Sequence, residues 1–404
     1  MKIAIFHNLL SGGAKRTLYE FCLRLAPQHE LWVYSLSCSN QDFADVRPLV
    51  ARNVIYDFTP SRMLPSPFGR INPLLRLRDL NRLKRLYRRM AREMMAENFD
   101  LYFINPSQFE NSPYLLNDLE GQPTVYFCQE PLRIVYEASP ARPYDKPESA
   151  RRKFLNKIDP LPGYFRKTLQ TNDREAVRSA RLVLVNSQHV QANVKAIYQV
   201  DAQVNYLGVD SQFFRPLDLP RQRAVVSVGS LTPLKGFDFL IRSLALIPAD
   251  IRPPLWIVSN FTNPPERVFL SGLAQSLGVE LKLFGGISDQ RLVELYNQAL
   301  MTVYAPVREP FGLVAIESMA CGTPVIGVND GGLTETILDG QVGRLVARDE
   351  AVFAQAVEQL LRDDNLRDQY GIQARSQVLQ QWTWDAALER LKTNFQRVRV
   401  FPIS

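Results

Sequence analysis

Two glutamates, Glu309 and Glu317, enclose the stretch Glu309-Pro-Phe-Gly-Leu-Val-Ala-Ile-Glu317. An apolar run, Met301-Thr-Val-Tyr-Ala-Pro306, precedes it, and Cys321-Gly-Thr-Pro324 closes it. The pattern reads as a strand, a loop holding Glu309, and a helix with Glu317 roughly two turns down, at 3.6 residues per turn. Carboxylates accept hydrogen bonds from hydroxyls, so two so placed can hold both ends of a polyhydroxylated ligand. Glu309 could also simply offset the helix dipole, and Glu317 could lie on a solvated face. The neighbours Leu313, Val314, Ile316, Met319 and Ala320 make that helix too apolar to be mostly solvated. A charge at 317 therefore needs a partner.

Other segments carry compatible chemistry. Val228-Gly229-Ser230-Leu-Thr-Pro-Leu-Lys235-Gly236 has the form of a strand, a loop and a helix start. Free helix amides beside a lysine ammonium make a seat for pyrophosphate, although a surface lysine beside a turn glycine looks the same. Near the N-terminus, Ser11-Gly12-Gly13-Ala14 leads into a helix with Thr17, Leu18, Phe21 and Leu25 on its inner face. A double glycine lets backbone amides approach an anion or sugar. The dinucleotide fingerprint Gly-x-Gly-x-x-Gly is absent there. Tyr126-Phe-Cys128-Gln129-Glu130-Pro131-Leu-Arg133 bunches polar residues after another strand, as a cleft or an ordinary surface loop would. Phe284-Gly285-Gly286-Ile287-Ser288-Asp289 joins a strand to a helix, and Ser288 suits its N-cap. Of the three histidines, His29 reads as a strand-edge residue and His189 as part of a capping segment; only His7 lies near the glycine loop. Their dispersal disfavours a metal cluster, and no Asp-x-Asp is present for a metal-bridged nucleotide.

Glu309-Pro-Phe-Gly-Leu313, Glu317-Ser-Met-Ala320, Gly322, Pro324-Val325, Gly331-Gly332 and Glu335 together resemble the family-four retaining glycosyltransferases of GT-B fold (glycosyl transferases group 1). Ser318 replaces the usual alanine. The resemblance implies a nucleotide-diphosphate sugar as co-substrate, with neither cofactor nor metal required. It implies that Glu309 holds hydroxyls of the donor sugar and Glu317 the ribose. Gly229, Ser230 and Lys235, with the helix start at Phe311, Gly312, Leu313 and Val314, would face the diphosphate. Backbone groups at Gly285 and Ile287 would hold the nucleobase, and Gly12 and Gly13 would touch phosphate or acceptor. The chain departs from the family at two places. Ser230 stands where an arginine is expected, and Gln129 and Glu130 occupy the stretch where many relatives carry a histidine; Glu130 is the substitute carboxylate to watch. Retaining enzymes of this fold are described as front-face, with the departing phosphate taking the acceptor proton.

Short apolar strands near 2–6, 30–36, 53–58, 100–105, 123–128, 181–186 and 203–207 alternate with helical stretches. The pattern restarts near 224–228, 254–258, 279–284, 301–305, 324–328 and 344–346. Such alternation predicts α/β architecture with parallel sheets: two Rossmann-like domains, 1–217 and 218–384, facing a cleft, and a helix over 385–404 packing back on the first. At 404 residues, 46% hydrophobic and 22% charged, the composition is that of a soluble globular protein. Four scattered cysteines suggest neither disulfides nor zinc, and the expected compartment is cytoplasmic. The net charge of +7 resides in two basic segments, 70–92 and 141–167. The first carries Leu80, Leu83, Leu86, Tyr87, Met90 and Met94 at helical spacing. That stripe suits either peripheral attachment to an anionic membrane or a core-facing helix with a basic solvent face. No nucleic-acid motif accompanies the charge. The leading expectation is hexose transfer to a glycan or lipid-linked acceptor in envelope or exopolysaccharide synthesis. A nucleotide-sugar epimerase and a nucleotide-sugar-binding protein with a decayed site are the rivals.

Overall fold

A computed structural model describes residues 1–65, 68–137, 140–145, 159–261 and 263–400, with backbone alone for 399 and 400. Two compact units emerge. The first comprises residues 1–138, 147–205 and 388–404; the second comprises 139–146 and 206–387. The division falls elsewhere than the sequence boundaries: residues 206–217 and the short segment around Arg142 cluster with the second unit.

The first unit holds a seven-stranded sheet: β1 (Lys2–Asn8), β2 (Glu30–Leu36), β3 (Arg52–Tyr56), β4 (Leu101–Ser107), β5 (Thr124–Phe127), β6 (Leu182–Val185) and β7 (Gln203–Val204). Its order is β3-β2-β1-β4-β5-β6-β7, and every pairing is parallel. The second holds β8 (Val225–Val228), β9 (Leu255–Ser259), β10 (Leu281–Gly285), β11 (Met301–Tyr304), β12 (Val325–Val328) and β13 (Gly343–Val346). Its order, β10-β9-β8-β11-β12-β13, is also all parallel. Both orders reverse after the first strand, which creates a crevice at the carboxyl ends of the two strands flanking the reversal. Helices cover both faces of such sheets, so strands read as unbroken apolar runs. Ile3 to Phe6 and Val325 to Val328 are accordingly buried throughout.

The helix Asn72–Ala96 turns the apolar stripe of the first basic segment inward. Leu83, Tyr87, Met90 and Met94 are buried in the core of the first unit, and Leu80 packs on Val135 and Leu169. That stripe therefore faces protein. Of the second basic segment, residues 146–158 lie outside the described residues. The last helix, Trp384–Val400, carries Phe395 edge-on against Phe103 at 5.3 Å. Asn394 Nδ2 donates to Asn205 Oδ1 at 3.4 Å.

Candidate functional site

In the second unit the reversal lies between β8 and β11, and the loops after these strands carry Lys235 and Glu309. Glycines bring them together. A Cβ on Gly229 would meet Cγ and Cδ of Lys235 at 3.1 Å, so the lysine stem lies directly on this glycine. Gly236, at φ +66°, presses on the end of β11: a Cβ there would stand 2.0 Å from the Ala305 carbonyl oxygen. Only glycine tolerates both that conformation and that approach. Lys235 Nζ reaches Glu309 Oε2 at 2.9 Å and the Tyr304 hydroxyl at 3.5 Å. The side chains of Lys235 and Glu309 are 25% and 14% exposed, so the pair is open to a ligand on one side.

The backbone around Glu309 is clamped from beneath. Asp330 Oδ2 accepts the Arg308 amide at 2.9 Å, and the Gly332 amide donates to the Glu309 carbonyl at 2.7 Å. Gly331, at φ +63°, lies so close that a Cβ would be 2.4 Å from the Glu309 oxygen. Arg308 itself is left-handed at φ 49°, a conformation costly for a side-chain-bearing residue.

Glu317 sits nearer the mouth than expected. The helix Leu313–Ala320 begins only after Gly312, its N-cap at φ 103°, so Glu317 lies about one turn in rather than two. It is 8% exposed and accepts the Tyr296 hydroxyl at 3.1 Å on Oε2. Burial and the neighbouring carboxylate push the Tyr296 phenol far above its ordinary range, so it stays a donor. The first amides of a helix have no partner within it, which leaves Leu313 and Val314 N–H at the mouth. Phe311 is 2% exposed, packed against Tyr206 and Trp382 at centroid distances of 6.3 and 5.6 Å. Its ring anchors the loop, and its backbone is what faces the site. Ser230 Oγ lies 3.4 Å from Thr232 Oγ1 and brings no charge. Beyond β10, Gly285 and Gly286 are exposed and Ile287 is half-buried, while Ser288 caps the helix Asp289–Gln298 by accepting the Arg291 amide at 3.2 Å.

In the first unit the reversal lies between β1 and β4. Gly12 caps the helix Gly13–Leu25, and a Cβ on it would meet nothing within 4 Å, so the loop faces open space. Beneath it, Lys15 Nζ lies 3.2 Å from His7 Nε2, both side chains buried. Burial draws the Lys15 ammonium down to about 8. Burial first, then the Lys15 charge, holds His7 well below its usual range, so the imidazole is neutral. Gln129 is buried, and its Nε2 has no hydrogen-bond partner among the described residues. Glu130 is directed elsewhere: its carboxylate meets Arg133 Nε at 2.7 Å and is 42% exposed.

The sequence pattern missed one constellation. Arg142 donates to Glu266 through Nε (3.2 and 3.1 Å) and one terminal nitrogen (3.0 Å), and to Asp238 at 2.9 and 3.2 Å. The same nitrogen donates to the Pro233 carbonyl at 3.3 Å, within the turn Pro233–Lys235. Tyr144 hydroxyl also donates to Glu266. Arg142 belongs to the basic segment 141–167; its partners are too distant in sequence for spacing to have paired them.

Residues 210–377 match the family described as "Glycosyl transferases group 1". A D-inositol 3-phosphate glycosyltransferase of Acidothermus cellulolyticus is 36% identical over 204 residues, 45% of this chain and 45% of that protein. Another, of Jonesia denitrificans, is 29% identical over 258 residues, 56% of this chain and 59% of that protein. The chain thus matches about half the length of these curated relatives. Among solved structures, sucrose-phosphate synthase of Thermosynechococcus elongatus superposes with a TM-score of 0.74 at 19% identity, covering 98% of both chains. Anabaena HepE, solved with UDP and glucose, superposes at 0.68 with 18% identity, covering 98% of this chain and 100% of that one. At these identities the likeness shows the fold.

Proposed function

We propose, from the match of residues 210–377 to the glycosyl transferases group 1 family, that the chain is a retaining glycosyltransferase moving a hexose from a nucleotide-diphosphate sugar to a glycan or lipid-linked acceptor. The reading places it in the cytoplasm, in envelope or exopolysaccharide synthesis. The observation that carries it is the Lys235–Glu309 pair at 2.9 Å at the strand-order reversal, beside the start of the helix Leu313–Ala320. A cation and a carboxylate side by side answer the two halves of such a donor. Lys235 and the helix amides would take up charge on the departing diphosphate, the electrostatic contribution that usually dominates catalysis. Glu309 would accept from sugar hydroxyls and favour the oxocarbenium-like centre. Glu317, fixed by Tyr296, would hold the ribose. Among the described residues of this unit no side chain stands out as a general base, which suits a front-face reaction in which the phosphate accepts the proton.

The test is a panel of UDP-, GDP- and ADP-sugars, read first by thermal shift, since a ligand stabilises by mass action, and then by transfer with NMR of the product anomer. Glu309→Gln is expected to abolish transfer while the fold persists, and Lys235→Ala chiefly to raise the donor KM. Full activity in Glu309→Gln, or an inverted anomer, overturns the reading. Donor binding without turnover under any acceptor would make the chain a nucleotide-sugar-binding protein instead.

A further inference from the structure

The outer side of the helix Asn72–Ala96 differs from its core side in an informative way. At 100° per residue, Ile71, Leu74, Arg78, Arg85, Arg89 and Arg92 fall within an arc of about 60°, opposite the buried Leu83, Tyr87, Met90 and Met94. The basic residues on this side are solvated: Arg78, Arg85, Arg88, Arg89 and Arg92 are all exposed. Arg88 and Arg89 have exposed ion pairs, with Asp118 at 3.6 Å and Glu93 at 2.8 Å. Among the described residues Arg78 and Arg85 have no carboxylate partner. The amino-terminal tip is apolar yet uncovered: Phe68 is 67% exposed, Leu74 47%, Ile71 45% and Leu64 36%. Scattered exposed apolar residues are ordinary, but a contiguous group at one end of a charged face marks a docking surface.

We propose that this face docks on an anionic lipid surface, with Phe68, Ile71 and Leu74 entering the interface and the arginines lying against headgroup phosphates. The occupant is argued from charge. The nine basic residues between Arg70 and Arg92 are opposed by one acid, Asp79, which is buried and held by Ser61 and Arg82. The arginine row from Arg78 to Arg92 extends about 20 Å at 1.5 Å per residue, a length suited to a plane of negative charge. An apolar tip joined to a basic row is the pattern by which interfacial helices hold to membranes. An acidic protein or nucleic acid would engage the arginines and leave the phenylalanine in water. The surface belongs to the first unit and does not depend on the proposed sugar transfer.

Co-sedimentation of the full chain with phosphatidylglycerol–phosphatidylcholine vesicles, against pure phosphatidylcholine, tests it. Binding is expected on the anionic vesicles only, and is expected to fall steeply as salt shortens the screening length. Arg78→Gln/Arg85→Gln/Arg92→Gln should weaken it on the order of 100-fold, at about fivefold per arginine. Phe68→Ser/Ile71→Ser/Leu74→Ser should weaken it at least tenfold with an unchanged circular dichroism spectrum, because these side chains are exposed. Equal binding to neutral vesicles overturns the proposal. So does wild-type affinity in the triple-serine variant, which would mark a purely ionic surface for a protein or nucleic-acid partner.

Discussion

Arg142→Met removes one cation from between two carboxylates and is the sharpest test of how the second unit is held together. The side chain is 6% exposed, Glu266 is fully buried, and Asp238 is 14% exposed. Methionine fills much of the volume and keeps an apolar contact with Phe269, over whose ring the guanidinium lies at 5.3 Å. It leaves Glu266 buried with the Tyr144 hydroxyl as its remaining donor. Breaking a buried pair by removing one partner costs about 3–5 kcal/mol, because the other charge is stranded. In a unit of this size that corresponds to a melting shift of roughly 6–20 °C. Tryptophan fluorescence suits the measurement, since Trp256, Trp382 and Trp384 all belong to the second unit. The pair variant Arg142→Met/Glu266→Gln should recover most of the loss, since the stranded charge is then gone. Because Arg142 also holds the Pro233 carbonyl and Asp238, at the base of the Lys235 turn, the single variant should raise the KM for donor more than it lowers kcat. A loss below 1 kcal/mol, or no recovery in the pair variant, would refute the reasoning.

Two further outcomes follow from other parts of the molecule. Glu110, fully buried and accepting from Tyr87 and Ser107, has its carboxyl pushed up to about 7 by burial, against an ordinary 4.5. The folded state then holds the proton more tightly than the unfolded chain, so its contribution is full below pH 4.5 and is lost as pH rises to 7. The urea stability of wild type relative to Glu110→Gln should therefore fall by about 3 kcal/mol between pH 4.5 and 8, and a pH-independent difference would exclude the effect. Ser230→Arg supplies the cation that the family resemblance leads one to expect there; a charge-assisted hydrogen bond contributes about 1.5–3 kcal/mol, so the donor dissociation constant in calorimetry should drop at least tenfold, and an unchanged value would show the position does not face the diphosphate.

The sequence was legible where burial is complete on both faces of a sheet. All thirteen strand positions among the described residues were readable, the central ones because runs such as Ala224-Val-Val-Ser-Val228 need no periodicity to stand out, although the edge strands β3, β7 and β10 are partly exposed. The Lys235 and Glu309 loops were legible because glycine spacing marks where backbone must pass close. What the sequence concealed depends on distant partners. Phe311 looked like a ligand contact because nothing near it in sequence shows that Tyr206 and Trp382 enclose its ring. Glu317 was placed a turn too deep because the left-handed Gly312 delays the helix start. On the helix Asn72–Ala96 the apolar stripe was seen, but periodicity alone cannot say which apolar residues the protein covers and which it leaves bare. Ile71 and Leu74 are out of phase with the covered stripe, and that phase difference was the available signal.

The second-unit site is built mostly of backbone, and this bears on the missing arginine. Gly236 on Ala305, and Gly331 and Gly332 on the Glu309 loop, set the shape of the seat by contacts that admit no Cβ, and the Lys235 stem lies closely on Gly229. Helix amides at Leu313 and Val314 add donors that no substitution short of proline removes. Against that frame a serine at 230 takes away one charge and leaves the geometry intact. The remaining lysine is neutralised by Glu309 until a ligand separates the two. On the proposed reading, an incoming diphosphate would compete with Glu309 for Lys235, while sugar hydroxyls would compensate the carboxylate it leaves. Binding of one half of the donor would then favour binding of the other, and an isolated phosphate or an isolated sugar would meet a pair already satisfied.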